Sequence, residues 1–113
     1  MSDIRTFWEN NRNSLVKEAE AMRNSPAVSF GLLEAYDRLN YDERVVVHGI
    51  LAEWLISEDN ALRYDSIFLI SQRRIKPLKY AVEEAIKAAR DRIDPETKFE
   101  IEKLKRILGK LSD

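Results

Sequence analysis

Apolar side chains recur at three- and four-residue spacing along most of the chain, and this periodicity constrains the fold more than any other feature. In residues 47–55, for example, apolar residues stand at positions i, i+3, i+4, i+7 and i+8. This spacing places them on one stripe of an α-helix, which is stable only when it packs against other elements. No segment alternates apolar and polar residues with the period of two that a half-buried strand requires. The sequence therefore predicts an all-α fold.

Prolines and short polar residues mark the predicted helix starts. Pro26, Pro77 and Pro95 fit the first turn of a helix, because the ring is tolerated there and not in a helix interior. Four residues are predicted to cap the helices that follow them: Ser25, Asp42, Asp59 and Asp94. About six helices result, over residues 3–24, 26–39, 42–56, 60–72, 77–89 and 95–111.

Three details of these helices can be tested against the structure. The asparagine-rich stretch 10–13 has weak helix propensity, so residues 3–24 form either one helix or two short ones. Asn40 is predicted to end its helix in a left-handed conformation. The last helix is predicted to bury a seam spaced 3, 4 and 3, formed by Ile101, Leu104, Leu108 and Leu111.

The length of 113 residues fits one domain, so we predict a single helical domain over residues 1–113. The absence of cysteine excludes a disulfide framework and a thiolate metal site. The longest apolar run, residues 45–56, is interrupted by His48 and Glu53 and is shorter than a membrane span. The first residues lack the basic start and apolar run of a signal peptide. We therefore expect a cytoplasmic protein that does not enter a membrane.

The sequence offers little for catalysis. His48 is the single histidine, and it flanks the apolar stripe of a predicted central helix, where it is more typical of a partly buried structural residue than of a catalytic base. No metal-ligand, nucleophile-elbow or phosphate-loop motif is present. We therefore predict no enzymatic activity, no catalytic residue, no cofactor and no metal.

Residues 50–89 resemble a HEAT-type helical repeat. The leucine-rich segment 51–55 leads to the turn 57–60, and Asp59 and Arg63 match the aspartate and arginine positions of that repeat. The resemblance implies two to three antiparallel hairpins in right-handed stacking, with Asp59 and Arg63 tying the turn to its helix and neighbour. A helix cap plus a surface ion pair would explain the same two residues. The second hairpin, 77–111, departs from the pattern because its turn has no arginine at the matching point.

The net charge of −1 conceals two oppositely charged segments. From Glu34 to Asp59 there are seven acidic and two basic residues, a net charge of −5. From Arg63 to Arg92 there are eight basic and four acidic residues, a net charge of +4. Such blocks favour interaction with oppositely charged partners, unless packing interleaves and cancels them.

A small, helical, cysteine-free protein with an acidic segment resembles the immunity proteins of bacterial toxin–immunity pairs, including those of contact-dependent growth inhibition. The resemblance implies a 1:1 complex that covers the basic active site of a cognate nuclease toxin. The predicted partner-binding residues are Glu34, Asp37, Tyr41, Asp42 and Glu43, with Tyr36 and Trp8 as aromatic anchors.

Two alternatives remain from the sequence. The chain could be a small HEAT-like adaptor, or it could bind nucleic acid through the basic loop of Arg73, Arg74, Lys76 and Lys79. The sequence disfavours nucleic acid because the pI is about 5.9 and the basic run is short.

Overall fold

The computed structural model describes residues 4–22, 26–92 and 94–112, and within these ranges the chain has six α-helices and no strand. A short 3₁₀ helix, Lys76–Leu78, leads into the fifth α-helix. The all-α class and the number of helices are therefore as predicted. The α-helices are α1 (Ile4–Met22), α2 (Pro26–Asp37), α3 (Tyr41–Leu55), α4 (Asn60–Arg73), α5 (Lys79–Arg90) and α6 (Thr97–Leu111).

The chain packs as two compact units, residues 1–50 and 51–113, and the division falls within α3. In the N-terminal unit, α1 packs against α2 at Gly31. A Cβ atom on Gly31 would stand 2.5 Å from Leu15 Cδ2, so the missing side chain permits this close approach. Glycine has a low helix propensity, but at position 31 the absence of a side chain lets α1 and α2 pack closely. The apolar core of this unit contains Trp8, Ala19, Leu32, Tyr36, Val47 and Ile50.

In the C-terminal unit, α6 packs against both α5 and α4. The buried Ser66 hydroxyl on α4 donates a 2.7 Å hydrogen bond to the Leu51 carbonyl of α3. The apolar core here contains Leu51, Trp54, Leu55, Ile67, Leu69, Ile70, Ile75, Leu78, Val82, Ala85, Ile86, Ala89, Leu104, Ile107 and Leu111.

The start of α3 differs from the prediction. Asn40 caps this helix: its Oδ1 accepts from the Glu43 N–H at 2.9 Å, and its own N–H donates to Glu43 Oε1 at 2.9 Å. This reciprocal pair is a capping box, with asparagine in place of serine or threonine. Asp42 therefore lies inside the first turn rather than at the cap. The predicted left-handed conformation of Asn40 is also wrong, because Arg74 has the only positive φ among the described residues.

Other helix boundaries give mixed outcomes. Asp59 caps α4 as predicted, accepting a 2.8 Å hydrogen bond from the Ala61 N–H. Asp94 was predicted to cap the last helix, but α6 begins only at Thr97 after Glu96, and Asp94 contributes its backbone carbonyl to the preceding turn. α1 is one uninterrupted helix across 10–13. The predicted cap at Ser25 lies outside the described residues.

The buried seam of α6 is rotated from the predicted one. Ile101 and Leu108 are only half-buried, whereas Thr97, Leu104, Ile107 and Leu111 are buried. Together with half-buried Glu100, these residues repeat with a spacing of 3, 4, 3 and 4. Because both α5 and α4 pack against α6, its buried seam includes the Glu100 carboxylate, which the spacing of apolar residues does not predict.

The end of α4 has the one left-handed residue, Arg74, with φ of 45°. Its N–H and that of Ile75 both donate to the Ile70 carbonyl, and Ile75 is buried. This arrangement is typical of helix ends that use glycine in the left-handed position, because a Cβ atom is strained there.

We predict that Arg74→Gly stabilises the protein. The expected gain in the free energy of unfolding is about 0.5–1 kcal/mol. Glycine relieves a strain of about 1–2 kcal/mol at this left-handed position, and this gain exceeds the cost of the greater backbone entropy that glycine loses on folding compared with arginine. Urea denaturation followed by circular dichroism measures it. Arg73→Gly, one residue earlier and still helical, is the matched control and should lose about 1 kcal/mol. A loss of stability in Arg74→Gly would contradict the prediction.

Candidate functional site

Five of the predicted partner-binding residues lie at one helix junction, which we call the acidic corner. Glu34 and Asp37 stand in the last turn of α2, and Tyr41, Asp42 and Glu43 form the first turn of α3. Tyr41 is 79% exposed, and Asp37 and Asp42 are exposed as well. Four carboxylates and one accessible aromatic ring therefore flank the turn between α2 and α3 in the N-terminal unit.

The two arginines of this junction do not neutralise it equally. The Arg44 guanidinium turns inward, lying 4.8 Å from the centroid of the buried Tyr36 ring and donating to the Asp37 carbonyl at 3.2 Å. Arg38 pairs with Glu34 at 3.1 Å, but both side chains are more than two-thirds exposed, so this pair adds little stability and can exchange for another partner. With four carboxylates and two guanidinium groups, the acidic corner carries a net negative charge.

Beneath the corner, Tyr36 contacts the single histidine. The Tyr36 hydroxyl and His48 Nε2 share a 2.8 Å hydrogen bond, and the two rings are stacked with centroids 5.9 Å apart. Burial, and to a lesser degree the positive charge of Arg44, lower the pKa of His48 below its ordinary value of 6.5. The imidazole is therefore mostly neutral near pH 7 and contributes to packing between α2 and α3.

The two aromatic anchors proposed from the sequence occupy the interior. Trp8 is fully buried, and Tyr36 is 5% exposed. In this conformation neither presents its ring to a partner, because both rings contribute to the apolar core of the N-terminal unit. Tyr41 is the accessible aromatic residue of the acidic corner.

Asp59 and Arg63, the pair suggested by the repeat resemblance, act on different partners. Asp59 caps α4 through Ala61, whereas Arg63 is 4% exposed and donates to the Ser57 carbonyl at 2.6 Å. Arg63 also donates to Asn60 Oδ1 and forms a salt bridge of 3.1 Å with Glu100 on α6. Arg63 therefore ties the turn before α4 to α6.

Glu100 is the functional residue of this network that sequence reasoning missed. Its carboxylate pairs with Arg92 as well as with Arg63. The available signal was positional, because Glu100 stands between Thr97 and Leu104 on the buried seam of α6. An acid at such a position needs a basic partner, which only the packing of α4 on α6 identifies.

A concave surface lies beside this network, between α4 and α6. One cavity of about 470 Å³ is lined by Arg63, Glu100, Tyr64 and Phe99 among others. The rings of Tyr64 and Phe99 are 53% and 63% exposed. A second cavity, of about 280 Å³, shares Tyr64, Ile67 and Lys103 with the first. Sequence reasoning had not linked these residues, because Phe99 and Lys103 lie 35 and 39 residues after Tyr64 in the chain.

The basic loop proposed as an alternative site is exposed. Arg73 ends α4, Arg74 occupies its left-handed cap, Lys76 lies in the 3₁₀ helix and Lys79 begins α5. The four side chains therefore surround one turn of the chain.

Within the described residues, no group of three or more histidine, aspartate or glutamate side chains is arranged to hold a metal ion. None of the described helices is both long enough and apolar enough to cross a membrane. Comparisons with known protein families, curated proteins and solved structures give no match to this chain.

We predict that Glu100→Gln lowers the free energy of unfolding by about 2 kcal/mol. The substitution leaves the buried Arg63 guanidinium without its counter-charge, a loss moderated by the partial exposure of Glu100. Urea denaturation measures the change. Glu102→Gln, exposed on the same helix, is the control and should change stability by less than about 0.5 kcal/mol. Equal effects of the two substitutions would contradict the role of the network.

We also predict a pH-dependent stability contribution from His48. Because the folded-state pKa is lowered, the unfolded chain binds more protons below pH 6.5 than the folded protein does. This contribution is fully present above the unfolded-state pKa and is lost as the pH falls through the folded-state pKa. Urea denaturation at about pH 7.5 and about pH 5.5, where most carboxyl groups stay ionised, measures it. In His48→Gln the stability difference between the two pH values should shrink; an unchanged difference would refute this assignment.

Proposed function

We propose that the protein is a non-enzymatic binding module that recognises a basic protein partner through the acidic corner. The observation that carries this proposal is the excess of four carboxylates over two arginines around the turn between α2 and α3, where Arg44 is engaged with the Tyr36 ring and the Asp37 carbonyl. An exposed negative surface attracts a basic partner and speeds the encounter.

The corner also offers apolar contact area. Tyr41 and Val45 are exposed one helical turn apart on α3, and side chains four residues apart on a helix are neighbours. A tyrosine ring beside an aliphatic side chain, surrounded by charge, has the composition of an interface anchor with a polar rim.

Within this class, we propose an immunity protein that binds its cognate bacterial nuclease toxin 1:1 in the cytoplasm. A nuclease active site is basic because it binds phosphate, so the acidic corner would cover it by charge complementarity. The carboxylates would occupy the positions otherwise taken by nucleic-acid phosphates.

We further propose that the helices form antiparallel hairpins stacked in a right-handed, HEAT-like manner. Two features support this arrangement: consecutive helices pack together in each unit, α1 with α2 and α5 with α6, and Arg63 ties a turn to the later helix α6. Such hairpins present helix ends and faces as binding surfaces.

The test uses the protein encoded immediately upstream as the candidate partner. We expect a 1:1 complex by analytical ultracentrifugation and protection of cells that express both proteins. The triple variant Asp37→Asn, Asp42→Asn, Glu43→Gln should reduce the association rate constant by about tenfold at low salt, because it removes three attracting charges. Glutamine at position 43 preserves the capping box.

The matched control neutralises acids elsewhere. A triple variant with Glu83→Gln, Glu84→Gln and Glu102→Gln removes the same number of charges from α5 and α6 of the C-terminal unit. It should leave the association rate within about twofold of the parent protein. If the two proteins form no complex and the cells are not protected, the immunity function is disproved. A complex equally insensitive to both sets of substitutions would disprove the role of the acidic corner.

A further inference from the structure

The surface between α4 and α6 is a groove with an apolar floor, and we call it the α4–α6 groove. Its two cavities adjoin, because Tyr64, Ile67 and Lys103 line both of them. In the second cavity, the exposed Tyr64 ring and the half-buried Phe68 ring supply the accessible apolar area, above the buried Ile67 and Ile107. A depression between two helices, with apolar side chains beneath it, is the geometry in which an amphipathic helix docks.

The rim of the second cavity is positively charged. Lys103, Arg106 and Lys110 line this cavity, and no acid is among its described lining residues. These residues stand at i, i+3 and i+7 on α6, which places them along one face over about 10 Å. The first cavity is different, because Asp94, Glu96 and Glu100 line it, and of these Glu100 pairs with Arg63 and Arg92. The positive charge that complements an acidic and apolar partner therefore belongs to the second cavity, toward the C-terminal end of α6.

The aromatic rings discriminate between two anionic occupants. Single-stranded nucleic acid binds by stacking its bases on free ring faces. Here the Tyr64 ring is stacked on Phe68, with centroids 6.4 Å apart, and the Lys103 ammonium lies 5.6 Å from its centroid. The Lys98 ammonium lies 5.5 Å from the Phe99 centroid. Because these rings already contact neighbouring side chains, the groove suits aliphatic side chains and carboxylates better than bases.

We propose that the α4–α6 groove binds an acidic amphipathic α-helix of a partner protein. The apolar face of that helix lies on Tyr64 and Phe68, and its carboxylates pair with Lys103, Arg106 and Lys110. Carboxylates spaced three or four residues apart on the partner helix match the spacing of these three cations. This site lies in the C-terminal unit and takes the opposite charge from the acidic corner, so it stands independently of the proposed function.

The experiment uses the full chain and a fluorescein-labelled synthetic helix of about 16 residues, or about 24 Å. Leucines occupy its i, i+3, i+4 and i+7 positions, and glutamates flank them. Fluorescence anisotropy should show saturable 1:1 binding that weakens as salt rises. A second peptide with glutamine in place of every glutamate should bind at least about tenfold more weakly.

Two variants of the protein locate the binding site. The groove variant combines Lys103→Gln, Arg106→Gln and Lys110→Gln. It should weaken binding of the acidic peptide by at least about tenfold. The control, Lys76→Gln, Lys79→Gln and Lys105→Gln, removes the same charge from exposed positions outside the groove lining and should change affinity by less than about twofold. Circular dichroism melts establish that both variants fold.

Three outcomes would overturn the proposal. The first is no saturable binding of the acidic peptide at roughly millimolar protein, the weak end of specific association. The second is equal weakening by the groove and control variants, which would show attraction to net charge alone. The third is tighter binding of an oligouridine of about 12 nucleotides than of the acidic peptide, which would assign the groove to nucleic acid.

Discussion

The C-terminal unit depends on the charge network around Glu100. Its carboxylate lies on the buried seam of α6 and faces two arginines, one from α4 and one from the end of the α5 region. Arg63 also donates to the Ser57 carbonyl, so the same side chain closes the turn that leads into α4. A buried guanidinium is costly without such partners. This requirement fixes how α4 and α6 align, and the groove between them follows from that alignment.

The near-zero net charge of the protein arises from surfaces of opposite sign. In the N-terminal unit, Arg44 is engaged with Tyr36 and the end of α2, so carboxylates dominate the acidic corner. In the C-terminal unit, the arginines engage Glu100, so its carboxylate is not available to neutralise the lysines that line the α4–α6 groove. In both units, packing decides which charged side chains contact one another and which remain exposed. Composition alone gives no hint of this sorting.

Sequence reasoning succeeded where local chemistry decides structure. Six helices follow from apolar periodicity, and the Asp59 cap follows from a short-range bond to Ala61. It failed where several local solutions compete: Asn40 rather than Asp42 caps α3, and α6 begins at Thr97 rather than beside Asp94. Of the candidate site, the clustering of the acidic residues was accessible because they are close in sequence. The sequence left both a core position and an anchor role open for Trp8 and Tyr36, which follow the apolar spacing of their helices, and packing places both in the core.

By itself, the sequence determined the helical class, most helix boundaries and the opposite charge of two segments, because propensity, capping and periodicity act within a few residues. Tertiary structure decided which face of α6 is buried, which acid neutralises Arg63, and which charges remain exposed. These outcomes depend on pairs such as Arg63 and Glu100, 37 residues apart, whose interaction exists only once the helices pack. Periodicity identifies that a helix has a buried stripe, but the fully apolar stripe of α6 (Ile101, Leu104, Leu108 and Leu111) is not the one that is most buried. Only the neighbouring helices, through contact and desolvation, select the one that contains a carboxylate.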